Sequence, residues 1–229
     1  MSELLPEAVL FDMDGTLVDS EPLWWASVEA AAVSLGWDRP QLDPAEVTGR
    51  PVLHTAEYLV HRTRTGVPAP TVAQHLHELF LGSLAAGPLT PLPGALELVE
   101  AVRSAGVLVG LVSASPRAVV DHVLDRLGPL LFDVSFAAGD TLRTKPFPDP
   151  YLAAADALEV APGRCLVVED SAPGVASAEA AGMPVLVVGD RVPVLPGRTH
   201  HASLADVDLV GVARALSPYP ALRLVAPPA

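Results

Sequence analysis

The chain has 229 residues, half of them hydrophobic, and a net charge of −13. That apolar content is enough for a full buried core, while the acidic balance argues against nucleic acid and anionic lipid surfaces as partners. The apolar runs, such as 107–112 and 183–188, are far shorter than a membrane span, and the first residues lack a basic-then-apolar signal layout, so a soluble cytoplasmic protein is expected. The single cysteine, Cys165, excludes an intrachain disulfide and reads as a core thiol.

The first apolar run, Ala8-Val9-Leu10-Phe11, predicts a buried strand, and it leads directly into Asp12-Met13-Asp14-Gly15-Thr16. Helical patterns follow over 21–35, with Pro22 in the first turn and Gly36 past the end, and then over 44–49, 53–64 and 72–85. A breaker-rich stretch, residues 87–94, closes this helical block. Beyond it helix and strand alternate: helix 95–104, strand 107–112, helix 117–127, strand 134–137, helix 150–158, strand 165–168, helix 173–181, strand 184–188 and a short strand 208–210.

Such alternation predicts a doubly wound, parallel α/β sheet of Rossmann type. The strands lack period-2 alternation, as expected when helices cover both faces. Residues 1–17 and 90–229 therefore form the α/β core, and residues 18–89 form an all-helical insertion after the first strand. No internal repeat is present. The Pro- and Ala-rich end, 217–229, reads as a loosely held tail. His200 and His201 adjoin without metal-ligand spacing and read as loop residues.

Parallel strands bring their C-terminal ends to one edge, where open α/β sheets bind ligands. The first strand end carries Asp12 and Asp14, and the second carries Ser113-Ala114-Ser115. The loop after the third carries Lys145-Pro146-Phe147-Pro148-Asp149, and the fourth ends in Glu169-Asp170-Ser171. Lys145 is the one lysine among 14 basic residues, in a chain that otherwise uses arginine.

Each residue type has a task if the substrate is a phosphomonoester. Carboxylates from two strands can hold Mg²⁺, which relieves repulsion between an attacking anion and phosphate. Hydroxyl, amide and ammonium donors can surround the phosphoryl oxygens. One Asp can attack phosphorus while the other moves a proton. Taken singly, the residues have plainer readings: Asp-x-Asp as a turn, Ser113 as a strand-end hydroxyl, Glu169 as an acid favouring a helix N-terminus. An EF-hand is excluded because Gly15 stands at loop position 4 and Leu23 at position 12.

In order and over nearly the whole chain, these motifs resemble the haloacid dehalogenase superfamily. The resemblance rests on Phe11-Asp12-Met13-Asp14-Gly15-Thr16-Leu17-Val18-Asp19-Ser20, Ser113, the Lys145 to Asp149 stretch, and Glu169-Asp170-Ser171-Ala172-Pro173-Gly174. It implies Asp12 as nucleophile and Asp14 as general acid/base, with the Asp14 main-chain carbonyl on the metal. Ser113 and the Ala114 amide would bind phosphoryl, Lys145 would neutralise nucleophile and phosphate, and Asp170 would ligate Mg²⁺ directly or with Glu169 through water. The helical insertion resembles the family's cap, which contacts the leaving group. Trp24 would line that pocket and Arg50 would face the site, although packing and a solvated surface position explain them as well.

The implied activity is a Mg²⁺-dependent phosphatase of small phosphorylated metabolites, sugar or polyol phosphates foremost, acting as a monomer or weak dimer. A β-phosphoglucomutase-like transferase is the rival within phosphoryl transfer, weakened because such mutases carry a His where Trp24 stands. Phosphoglycolate phosphatases share the layout. A receiver-like signalling module also uses Asp, Ser/Thr and Lys around Mg²⁺, but it needs no helical insertion over its phosphoryl group.

Overall fold

A computed structural model of the chain describes residues 5–48, 50–195 and 198–216. The expected tail, 217–229, lies outside them. The chain divides into two compact units, one formed by Met1–Val18 with Pro91–Ala229, the other by Asp19–Thr90.

The first unit is built on a six-stranded, wholly parallel sheet. Its strands are β1 (Ala8–Phe11), β2 (Leu108–Pro116), β3 (Val134–Ala138), β4 (Cys165–Glu169), β5 (Val185–Val188) and β6 (Thr199–His201), in the spatial order β3-β2-β1-β4-β5-β6. Strands β1, β4 and β5 are buried at every residue, which explains their unbroken runs of Val, Leu and Ala. The core around β1, β4 and β5 includes Leu10, Val167, Val185, Met183, Ala178 and the buried Tyr151. Cys165 is part of it, and burial together with Glu7 pushes its thiol up to about 12.

The helical unit contains α1 (Glu21–Ser34), α2 (Pro44–Val47), α3 (Val52–Thr63) and α4 (Ala69–Ala86). Val28, Ala31, Leu59 and Leu76 pack at its centre. In the first unit the remaining helices are α5 (Ala95–Ser104), α6 (Arg117–Leu127), α7 (Asp149–Ala157), α8 (Ala172–Ala180) and α9 (Leu209–Ala215). Among the described residues no helix is long and apolar enough to cross a membrane.

Two sequence expectations are corrected at the end of the chain. The strand expected over 208–210 is the start of α9, because the Asp208 carboxylate accepts from the Gly211 amide at 2.8 Å and caps a helix. The sixth strand lies instead at Thr199–His201, so His200 and His201 are strand residues, paired with Val187 and Val188. A three-residue edge strand of polar side chains carries no apolar run by which a sequence pattern can find it.

Candidate active site

The chain proceeds from β1 outward through β2 and β3 on one side, then returns to β4 on the other. The topological switch therefore lies between β1 and β4, where ligands bind in open α/β sheets. Asp12 leaves the end of β1 and its amide donates to the Val168 carbonyl at 3.0 Å, tying the loop after β1 to β4. Glu169 ends β4, and Asp170 follows it. Asp12, Glu169 and Asp170 are all buried, and one oxygen from each lies within 4.8 Å of the others.

The turn after Asp12 needs glycine. Gly15 has φ +83°, and its amide bonds back to the Val18 carbonyl at 2.9 Å. A Cβ there would run into the Asp170 carboxylate, so the backbone approaches β4 as closely as chain chemistry allows.

Lys145 stands at the centre of the acidic group. Its Nζ donates to Asp12 Oδ1 at 2.6 Å, to Glu169 Oε1 at 2.7 Å and to the Val112 carbonyl at 2.9 Å. Burial opposes its ammonium, yet Asp12 and Glu169 outweigh that and hold its pKa well above the usual lysine value. The loop carrying it is braced from outside, where Arg143 forks onto Asp149 and the Ser177 hydroxyl donates to the Phe147 carbonyl at 2.6 Å.

Even with Lys145 present the carboxylates remain in excess. Burial, reinforced by Glu169 and opposed by Lys145, pushes Asp12 up to about 7. Burial, with Asp12 and Glu169, pushes Asp170 up to about 8. A compact set of oxygen donors that resists ionisation suits a hard divalent cation, which would restore the charge balance.

Asp14 is served by the end of β2. The Ser115 hydroxyl donates to Asp14 Oδ2 at 2.7 Å, and the Ser113 hydroxyl donates to the same oxygen at 3.3 Å. Ser113 also accepts from the Ser115 amide at 2.9 Å, so it is already engaged within the protein. Ala114 is exposed between them. The ladder between β2 and β3 shifts register between Val112 and Pro116, the stretch that carries both hydroxyls.

Glu169 is held by many donors. Besides Lys145, it accepts from Tyr151 OH, from the amides of Asp170 and Ser171, and from the Ser171 hydroxyl. Gly174 makes this possible, because any Cβ there would occupy the position of the Glu169 carboxylate.

Asp12, Asp14, Ser113, Lys145, Glu169 and Asp170 thus come together in one unit. Trp24 and Arg50 belong to the helical unit. There the Trp24 ring meets Phe80 edge-on at 5.7 Å and its indole N–H donates to the Val47 carbonyl at 3.4 Å. Arg50 is exposed and donates to the Ala45 carbonyl at 2.7 Å. Sequence reasoning missed four participants: Thr16 and Arg191, which donate to Asp170, Ser115 on Asp14, and Tyr151 on Glu169. Ser115 was visible as a hydroxyl beside Ser113. The other three gain their places only through tertiary packing.

A family profile described as haloacid dehalogenase-like hydrolase matches residues 6–182. Protein CbbY of Cereibacter sphaeroides is 32% identical over 220 residues, covering 88% of this chain and 90% of that protein. A crystal structure of CbbY from Rhodobacter sphaeroides in complex with phosphate has a TM-score of 0.80 at 24% identity, covering 91% of this chain and 99% of that one. The phosphoglycolate phosphatase of Rhodospirillum rubrum is 36% identical with 80% of each chain covered, and hexitol phosphatase B of Escherichia coli K12 is 34% identical with 79% and 82% covered. With the family profile matched over residues 6–182 and a relative 32% identical over most of both chains, this protein belongs to the haloacid dehalogenase-like hydrolases.

Proposed function

We propose that the protein is a Mg²⁺-dependent phosphatase of small phosphomonoesters, sugar and sugar-alcohol phosphates foremost, acting through an aspartyl-phosphate on Asp12. The observation that carries this reading is the buried contact of Lys145 with Asp12 and Glu169 at 2.6 and 2.7 Å, beside the Asp170 carboxylate. A cation fixed against a carboxylate at a sheet switch point is what an anionic nucleophile needs to approach phosphate.

Asp12, Asp170 and the Asp14 main-chain carbonyl would hold the metal, and Glu169, with five donors already on its oxygens, would reach it through water. When bound, the metal offsets charge between carboxylate and phosphate. Asp12 then attacks phosphorus, the bond to the ester oxygen breaks, and Asp14 gives its proton to the departing alkoxide. Asp14 next takes a proton from water, whose oxygen attacks the aspartyl-phosphate and releases phosphate and free Asp12. The Ala114 amide and the Ser113 hydroxyl, turned from its long 3.3 Å contact with Asp14, bind phosphoryl oxygens, while Ser115 orients Asp14 between its two proton transfers. Trp24 and Arg50 belong to the leaving-group side of this reading.

The 34% identity to hexitol phosphatase B supports a polyol phosphate, and the 36% identity to a phosphoglycolate phosphatase supports phosphoglycolate as the second reading. A panel of sugar phosphates, polyol phosphates, phosphoglycolate and nucleotides, with phosphate release measured, separates the two. Asp12→Asn should retain the fold and lose turnover of p-nitrophenyl phosphate. Full activity in that variant would refute the nucleophile assignment, and conversion of β-glucose 1-phosphate to glucose 6-phosphate would favour a mutase.

A further inference from the structure

Arg191 stands in the loop after β5, next to β4, which Asp170 follows. The loop is pinned on both sides: the Gly189 amide donates to the His201 carbonyl at 2.9 Å, and Val192 is buried in the core at 3% exposure. This placement brings Arg191 Nη1 to 3.1 Å from Asp170 Oδ2 and to the place beside Gly15 that a side chain would otherwise fill. The other Asp170 oxygen accepts from the Thr16 hydroxyl at 3.4 Å. Both oxygens of the acid read as a metal ligand are therefore held by groups of the protein.

We infer that Arg191 is a built-in counter-cation that competes with the divalent metal for Asp170 and sets the metal affinity of the site. This rests on the reading of Asp170 as a metal ligand. In the metal-free protein the guanidinium offsets the charge of a carboxylate that is only 5% exposed, within a group of acids crowded around one lysine. A divalent ion beside the same carboxylate repels the guanidinium, so binding requires Arg191 to share or leave Asp170. Its side chain is 41% exposed, which lets it swing to solvent without opening the core. An ordinary structural ion pair would stabilise the protein equally with and without metal. A competing cation stabilises the metal-free protein alone.

The test is calorimetric titration of Mg²⁺ into metal-stripped wild type, Arg191→Met, Arg191→Gln and Asp170→Asn, with thermal denaturation of each in chelator and in saturating Mg²⁺. Both neutral Arg191 variants should bind Mg²⁺ on the order of tenfold more tightly, the half-exposed position keeping the effect well below that of a fully buried pair. Their melting temperatures should drop in chelator and match wild type in Mg²⁺. Unchanged or weaker affinity in Arg191→Met, or an equal loss of melting temperature in both conditions, overturns the competition. Wild-type affinity in Arg191→Gln with a gain only in Arg191→Met also overturns it, because hydrogen bonding rather than charge would then be the cause. Failure of the underlying metal reading is recognised separately, by wild type that binds no Mg²⁺ or Asp170→Asn that binds it as well as wild type.

Discussion

Replacing Lys145 by Met removes the ammonium and keeps the length of the stem. In wild type that ammonium meets two carboxylates within 2.7 Å, and the side-chain exposures are 4% for Lys145, 9% for Asp12 and 0% for Glu169. Solvent therefore cannot replace it. Removing one partner of a buried pair costs about 3–5 kcal/mol. At a few degrees per kcal/mol for a chain of this size, the melting temperature of the metal-free protein at pH 8 should fall by roughly 6–20 °C. The loss should shrink at pH 5.5, because Asp12 and Asp170, pushed up to about 7 and about 8, then carry protons and present less charge to the missing cation. Urea denaturation in chelator at both pH values measures this. A loss below about 1 kcal/mol at pH 8, the range of exposed pairs, would show that Lys145 is not the buried counter-ion described here.

Metal and pH should act together on stability. Both acids have folded pKa values above the unfolded carboxylate range, so their contribution is fully present near pH 4 and lost as pH rises toward 8. Mg²⁺ should therefore raise the melting temperature more at pH 8 than at pH 5.5, and Asp170→Asn should reduce that difference; a larger Mg²⁺ effect in acid would contradict the assignment. For Gly174→Ala, helix propensity alone predicts a gain of up to about 1 kcal/mol. The close approach of Glu169 predicts instead a loss of about 1–3 kcal/mol, and the sign found by chemical denaturation decides between them.

Most helices were legible in the sequence to within a residue or two, whereas α4 begins at Ala69, three residues before the expected start at 72. Residues 95–104 and 117–127 are cases where pattern and structure coincide as α5 and α6. The buried strands β1 and β4 were equally legible, since both are apolar runs that lead into acids. What failed was the edge of the sheet, where pairing with β5 rather than composition makes Thr199–His201 a strand. In the site, the Asp12 and Lys145 motifs stood out because glycine, proline and charge have local reasons to be together. Their contact across 133 positions, and the arrival of Arg191 and Tyr151 at Asp170 and Glu169, arise from sheet order and packing that no local pattern encodes.

The two chain crossings between the units also have a consequence for engineering. Val18 is bridged to Pro91, and the Asp19 amide donates to the Thr90 carbonyl at 3.0 Å, so the departing and returning segments are already stitched side by side. Replacing everything between them with a short hairpin would add little loop-closure entropy and leave every register of the sheet untouched. The helical unit is in this sense a cassette set on one paired neck, whose spacing any grafted replacement has to match.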